Sequence, residues 1–181
     1  MKTSSVVSVS LSNKHTFSKH RCNQIQLVEG FGVEGDAHFG QTVKHRSRVA
    51  KDPNQPNLRQ VHLLPAELFD ELKAKGFEVS AGDLGENIVT QNLDLINLPK
   101  NTILEIGDQA QIKITGLRNP CKQIEHFQKG LLAANLEKRA DGSLIRKTGV
   151  MAVVIASGSV ALSDAIRVIL PDTPHQPLEV V

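Results

Sequence analysis

Apolar and polar positions alternate with a period of two through much of the chain. Val7, Val9 and Leu11 alternate with Ser8 and Ser10, which predicts an opening strand. Gln24 to Val28 alternates again and predicts a second strand. Ala110, Ile112 and Ile114 lie between the polar Gln109, Gln111 and Lys113. With Thr102 to Ile106 they predict a β-hairpin, Gln109 to Thr115 being its second arm and Gly107-Asp108 its turn. Gly116 and Pro120 are expected to end that arm. Further strands are predicted over Arg59–Leu64, Asn87–Thr90, Val160–Leu162 and Ile166–Leu170. Val150 to Ala156 is a continuous apolar run and predicts a strand buried on both faces.

Helical spacing is scarce. Pro65, then Leu68, Phe69 and Leu72, with Gly76 past the end, predicts one helix. Leu131 to Arg139, closed near Asp141-Gly142, predicts another. Asn13 to Gln24 is polar and basic and predicts a loop or short hairpin. Thr42 to Leu58 predicts a long exposed loop, basic first and then rich in Pro and Asn. The fold class expected is mainly β with a few helices, as a mostly antiparallel, closed or half-closed barrel. Residues 1–171 are expected to form a single domain, and 172–181 an extended, loosely held tail.

Composition narrows the function classes. With 181 residues the chain can bury a core without disulfides or metal. It has six Phe and neither Trp nor Tyr, which weighs against stacking on single-stranded nucleic acid. The formal net charge of +2 supplies no global field for DNA or a membrane. Two Cys without CxxC spacing predict a reducing, cytoplasmic setting. No run predicts a signal peptide or a membrane span.

Candidate chemistry sits on the turns. Cys121 lies between Arg118 and Lys122, and nearby cations favour the thiolate, the reactive form of Cys; the alternative is a small buried hydrophobe. Lys44, His45, Arg46, Arg48 and Lys51, with Arg59 downstream, form the densest basic cluster; the commoner outcome for such a run is a solvated loop, and the alternative is a site for a small anion. Asp36 and His38 share a Gly-rich loop, where the carboxylate could orient the imidazole as a base or ligand; the residues alone favour the alternative, a solvated loop histidine. Gly30-Phe31-Gly32-Val33-Glu34-Gly35 matches a dinucleotide fingerprint in letters, but no helix pattern follows it. In Gly82-Asp83-Leu84-Gly85-Glu86-Asn87, Asp83 reads as a turn-former and Asn87 as an open candidate. His62, in a strand, reads as a core or edge histidine. His15, His20 and Cys22 lack a standard structural zinc spacing.

These stretches together resemble the MOSC family, the domain named after the C-terminal part of molybdenum-cofactor sulfurase. The resemblance is carried by Gly32-Val33-Glu34-Gly35-Asp36-Ala37-His38, Arg59-Gln60-Val61-His62-Leu63, Gly82 to Ile88, Leu98-Pro99, Ile106-Gly107, Arg118-Asn119-Pro120-Cys121 and Gly149 to Val154. Ser163-Asp164 departs from the Gly-Asp usual at the last turn. The resemblance implies a barrel of the pyruvate-kinase type and a pocket for the molybdenum cofactor, or molybdopterin. It implies that Cys121 either ligates molybdenum or carries sulfur as a persulfide. It places His38, Arg46, Arg48, Arg59, Asn87, Arg118 and Asn119 against the cofactor. Some members reduce N-hydroxylated compounds through a redox partner. Others are joined to a cysteine desulfurase, so pyridoxal phosphate is expected on such a partner and not on this chain. A non-catalytic sulfur carrier and a cofactor-free anion-binding module are the alternatives.

Overall fold

The computed structural model of the protein describes residues 3–181; Met1 and Lys2, at the start of the expected domain, lie outside the described residues. The chain runs β1 (Ser5–Leu11), β2 (His20–Cys22), β3 (Gln24–Val28), β4 (Gly32–Val33), α1 (Arg46–Val49), β5 (Val61–Pro65), α2 (Glu67–Ala74) and β6 (Ile88–Gln91). A 3-10 turn at Leu95–Asn97 precedes β7 (Ile103–Ile106) and β8 (Ala110–Leu117). Then come α3 (Lys122–Phe127), α4 (Leu131–Ala134), β9 (Leu136–Lys138), β10 (Leu144–Arg146), β11 (Val150–Ala156), β12 (Gly158–Ala161) and β13 (Ile166–Ile169). The fold is mainly β with few helices, as expected. Among the described residues no helix is long and apolar enough to cross a membrane.

Eight strands form one sheet in the order β13-β7-β8-β11-β5-β6-β1-β2, and β12-β3-β4 form a second. All pairs in the large sheet are antiparallel except β5 with β6, which are parallel and joined through α2. Among the described residues no continuous ladder closes the sheet. Its two sides meet at an isolated bridge, Ser5 to Ala165, where Ile166 N–H donates to Ser4 C=O at 2.8 Å. The main core lies inside the curl, from Val6 and Val9 to Ile112, Ile114, Val150 and Ile166. A second core of Leu64, Leu68, Leu72, Leu84, Ile124 and Leu131 lies beneath α2, α3 and α4.

Several expectations change. The Val7-Val9-Leu11 face is broken by a bulge between Val6 and Ser8, so Val6 joins Val9 in the core and Val7 is only half-buried. Gly116 does not end β8; the strand runs on to Leu117, and the missing Cβ makes room for the tail. A Cβ there would lie 2.5 Å from Glu179 O and 2.8 Å from Val181 Cβ. The tail is accordingly held: Leu117 N–H donates to Glu179 C=O at 2.7 Å and Lys100 N–H to Gln176 C=O at 2.8 Å. The helix expected over 131–139 stops at Ala134, because Leu136–Lys138 pairs with Leu144–Arg146 across Asp141-Gly142.

The last turn carries backbone strain. Ser163 sits at φ +73°, a left-handed conformation that a Cβ disfavours. Ser163→Gly is expected to raise stability by about 0.5–1 kcal/mol, read as a higher denaturant midpoint at unchanged slope. An unchanged or lower midpoint would show that the turn is not strained.

Candidate functional site

The Gly-rich loop after β4 buries a carboxylate. Asp36 has a side chain with no exposed surface and accepts from five donors. Ser12 N–H lies 3.2 Å and Asn87 Nδ2 3.1 Å from Oδ2, and Lys19 Nζ completes that oxygen's set at 2.9 Å. His38 N–H at 3.0 Å and His38 Nδ1 at 3.2 Å serve Oδ1. Burial alone would raise the pKa of Asp36, but the His38 hydrogen bonds and the Lys19 charge outweigh it and hold the carboxyl well below its usual range. Lys19 has this one carboxylate as partner, and burial pulls its pKa down. Ionised Asp36 only accepts, so Nδ1 of His38 carries a proton and Nε2 is the ring nitrogen left for a ligand.

The same carboxylate ties down the segment after β1. Lys19 N–H donates to Gly82 C=O and Ser18 Oγ to Asp83 C=O, each at 2.8 Å. Gly82 and Gly85 permit that approach: both have positive φ, and a Cβ on either would lie 2.5 Å from the backbone oxygen of Lys19 or Phe17. Residues His15 to Lys19 thereby become one wall of a cleft of about 540 Å³.

The cleft is cationic. Lys19, Arg46, Arg48, Arg59 and Arg118 line it with His15, His38 and His45, and among the described residues none lining it is Asp or Glu. The sheet supplies the floor: His62 on β5 is paired with Met151 on β11, which is paired with Gly116 on β8. Arg118, just beyond β8, is 7 % exposed and Phe17 lies over its guanidinium, 5.9 Å from ring centroid to Cζ. Its Nη1 is buried with no hydrogen-bond partner. Burial lowers the pKa of Arg118, opposed by Cys121 and Glu86. Arg59 donates to Val181 C=O at 2.9 Å, and burial with Arg48 and Arg118 nearby lowers it to about 10. Cys121 is half-buried at the N-cap of α3, and its thiol contacts Gln123 Oε1 at 3.6 Å.

Eight candidate residues come together, while Lys44 and Lys51 of the basic cluster do not line the cleft. His38, Arg46, Arg48, Arg59, Asn87, Arg118, Asn119 and Cys121 line this one cleft. Asn87 is there as a bracket: Nδ2 serves Ser10 C=O and Asp36, and Oδ1 accepts from His62 N–H. Asp83 caps its turn, accepting from Ser80 N–H at 2.8 Å. His62 is buried, and its Nε2 donates to Thr148 C=O at 2.7 Å. No helix starts at the Gly30–Gly35 stretch, which runs into β4. Among the described residues no cluster of His, Cys, Asp and Glu could hold a metal ion. Lys19, His15, Phe17 and Val180 were not legible as site residues; their partners are distant in sequence.

A profile of the MOSC domain matches residues 34–167. The chain belongs to the MOSC domain family. Two parts of the cleft, the segment His15–Lys19 and Val180, lie outside the matched MOSC region. The fold is similar to that of the YuaD protein from Bacillus subtilis, with TM-score 0.75 and 21 % identity over 94 % of this chain and 98 % of that one. It is also similar to YiiM from Geobacillus stearothermophilus, with TM-score 0.68 and 15 % identity over 96 % and 79 % of the two chains. YiiM from Escherichia coli gives TM-score 0.61 and 19 % identity over 94 % and 72 %. No curated protein sequence matches.

Proposed function

We propose that the cleft binds the molybdenum cofactor, with Cys121 as the ligand or sulfur-bearing group. The observation that carries this reading is Arg118: a buried guanidinium with an unpartnered Nη1, beside the one cysteine that lines the cleft. An unmet buried donor is costly, and an anionic ligand relieves it. The volume suits a cofactor-sized molecule. Arg46, Arg48 and Arg59 would take the phosphate, since guanidinium forks match its oxygens. Arg118 would meet the phosphate and the pterin, Asn119 would meet the pterin, and His38 would line the same space. The thiolate of Cys121 is a soft donor suited to molybdenum. When bound, the cofactor supplies two-electron redox chemistry, which fits reduction of N-hydroxylated compounds through a redox partner. We read the curled sheet, pinned at Ser5–Ala165, as the half-closed barrel expected of the family.

Protein purified from molybdate-supplied cells should carry molybdenum and pterin in near-stoichiometric amounts. Protein free of both would overturn the reading. A sulfur adduct on Cys121 after incubation with a cysteine desulfurase, in molybdenum-free protein, would favour the carrier role.

Arg118→Met should separate binding from stability. Lys19 and Arg59 oppose the charge of Arg118 while Glu86 and Cys121 favour it, so its removal should change the stability of the free protein by no more than about 1 kcal/mol. Losing its charge-assisted hydrogen bond costs about 10–100-fold in affinity for inorganic pyrophosphate. Melting curves and calorimetry read the two effects. A destabilised variant with intact affinity would make Arg118 a structural strut.

A further inference from the structure

Four imidazoles line the cleft; His62 is buried and committed to Thr148 C=O, and of the other three the anion reading uses only His38. His15 and His45 project into the same space. The rings of His15 and His38 pack edge to face, 5.4 Å between centroids. His45 Nδ1 lies 2.9 Å from Ser47 Oγ, at the start of α1. The groups facing His15 are His38, Arg46, Asp36 and Lys19. Those facing His45 are Arg59, His38, Arg48 and His15. The one carboxylate among them, Asp36, is already saturated by Lys19, Ser12, Asn87 and His38. Neither His15 nor His45 therefore has an anionic partner of its own.

We propose that His15 and His45 are additional ligand-binding residues of the cleft and that they take up protons when an anion enters, so that anion affinity rises as pH falls. This rests on the anion-binding reading above. The direction follows from the surroundings. In the free protein, burial and the neighbouring cations lower both histidines below their ordinary value, so both are neutral near pH 7. An anion in the cleft offsets the repulsion from these cations and favours the imidazolium. The bound state then holds more protons than the free state. Linkage requires binding to strengthen with acidification, by up to tenfold per pH unit for each proton taken up. The five permanent cations set a basal affinity, and the histidines add a variable share. An anionic ligand is thus held more tightly in acid and released more readily in alkali.

Inorganic sulfate is a suitable probe, because it does not titrate over the histidine range. Calorimetric titration of the full chain between pH 5.5 and pH 8, in two buffers of different ionisation enthalpy, gives affinity and proton uptake together. Affinity is expected to rise about 3–10-fold per unit as pH falls, with net proton uptake. The double variant His15→Gln with His45→Gln should lose most of the slope, so that its affinity scarcely changes between pH 8 and pH 5.5. Cys121→Ser should keep the slope, which separates the histidines from titration of the thiol. A pH-independent affinity, or a slope unchanged in the double variant, would overturn the inference while leaving the anion cleft standing. No sulfate binding at any pH would overturn both.

Discussion

Replacing Asp36 by Asn is expected to cost the fold about 3–5 kcal/mol, the usual penalty for breaking a buried ion pair from one side. Asn matches the shape of Asp but brings an NH₂ where Lys19, Ser12 and Asn87, or His38, now donate. Lys19 would stay buried without its counter-charge. The pH dependence has a definite sign. The folded-state pKa of Asp36 is depressed, so its contribution is fully present above the unfolded carboxylate value of about 3.9 and is lost as pH falls toward the folded value. Wild-type stability should therefore drop on acidification below about pH 4, and Asp36→Asn should lack that part of the drop. Urea unfolding at pH 7 and pH 3.5 measures both. A loss under 1 kcal/mol at pH 7 would mean that the hub is dispensable.

Replacing Cys121 by Ser is expected to remove molybdenum from the protein and leave the fold intact. The residue caps α3 and its side chain makes no capping hydrogen bond. Serine is a favoured N-cap, so the variant should be at least as stable as wild type. Any loss of metal is then chemical. A hydroxyl is harder and far less acidic than a thiol, and metal retention should fall by at least about 10–100-fold. Pterin retained without metal would assign Cys121 as a ligand. Retention of both would leave it a structural residue, and the proposed function would fail.

The parts of the fold read correctly from sequence are those governed by neighbours in the chain. The Ile106-Gly107-Asp108 hairpin, the alternation of Ile25 and Leu27, and α2 with Leu68 and Leu72 inward all follow local rules. Asp141-Gly142 shows the limit. The dipeptide is a hairpin signal, but the helical propensity of the preceding residues hides it, and only pairing of Leu136–Lys138 with Leu144–Arg146 settles the choice. Lys19 shows the limit at the site. Nothing near it in sequence marks it, and its function is set by Asp36, delivered from another loop. The tail reads as loose because its prolines forbid regular structure, yet Gly116 was the clue to its docking. Most candidate residues of the cleft were legible because they lie at strand ends and turns, where side chains are free for ligands; Arg46 and Arg48, on the short α1, were marked by the basic run instead.

The walls of the cleft are contributed by residues from His15 to Val180. No shorter stretch of chain contains it. Its assembly waits on pairings as distant as Ser5 with Gln91 and on docking of the tail at Leu117. Such long-range closures come late and slow folding. A ligand needing all the walls meets only finished molecules, and at 100 times its Kd it would add about 2.7 kcal/mol to their stability. If the cleft binds the cofactor as proposed, loading would therefore favour completed molecules over half-folded ones.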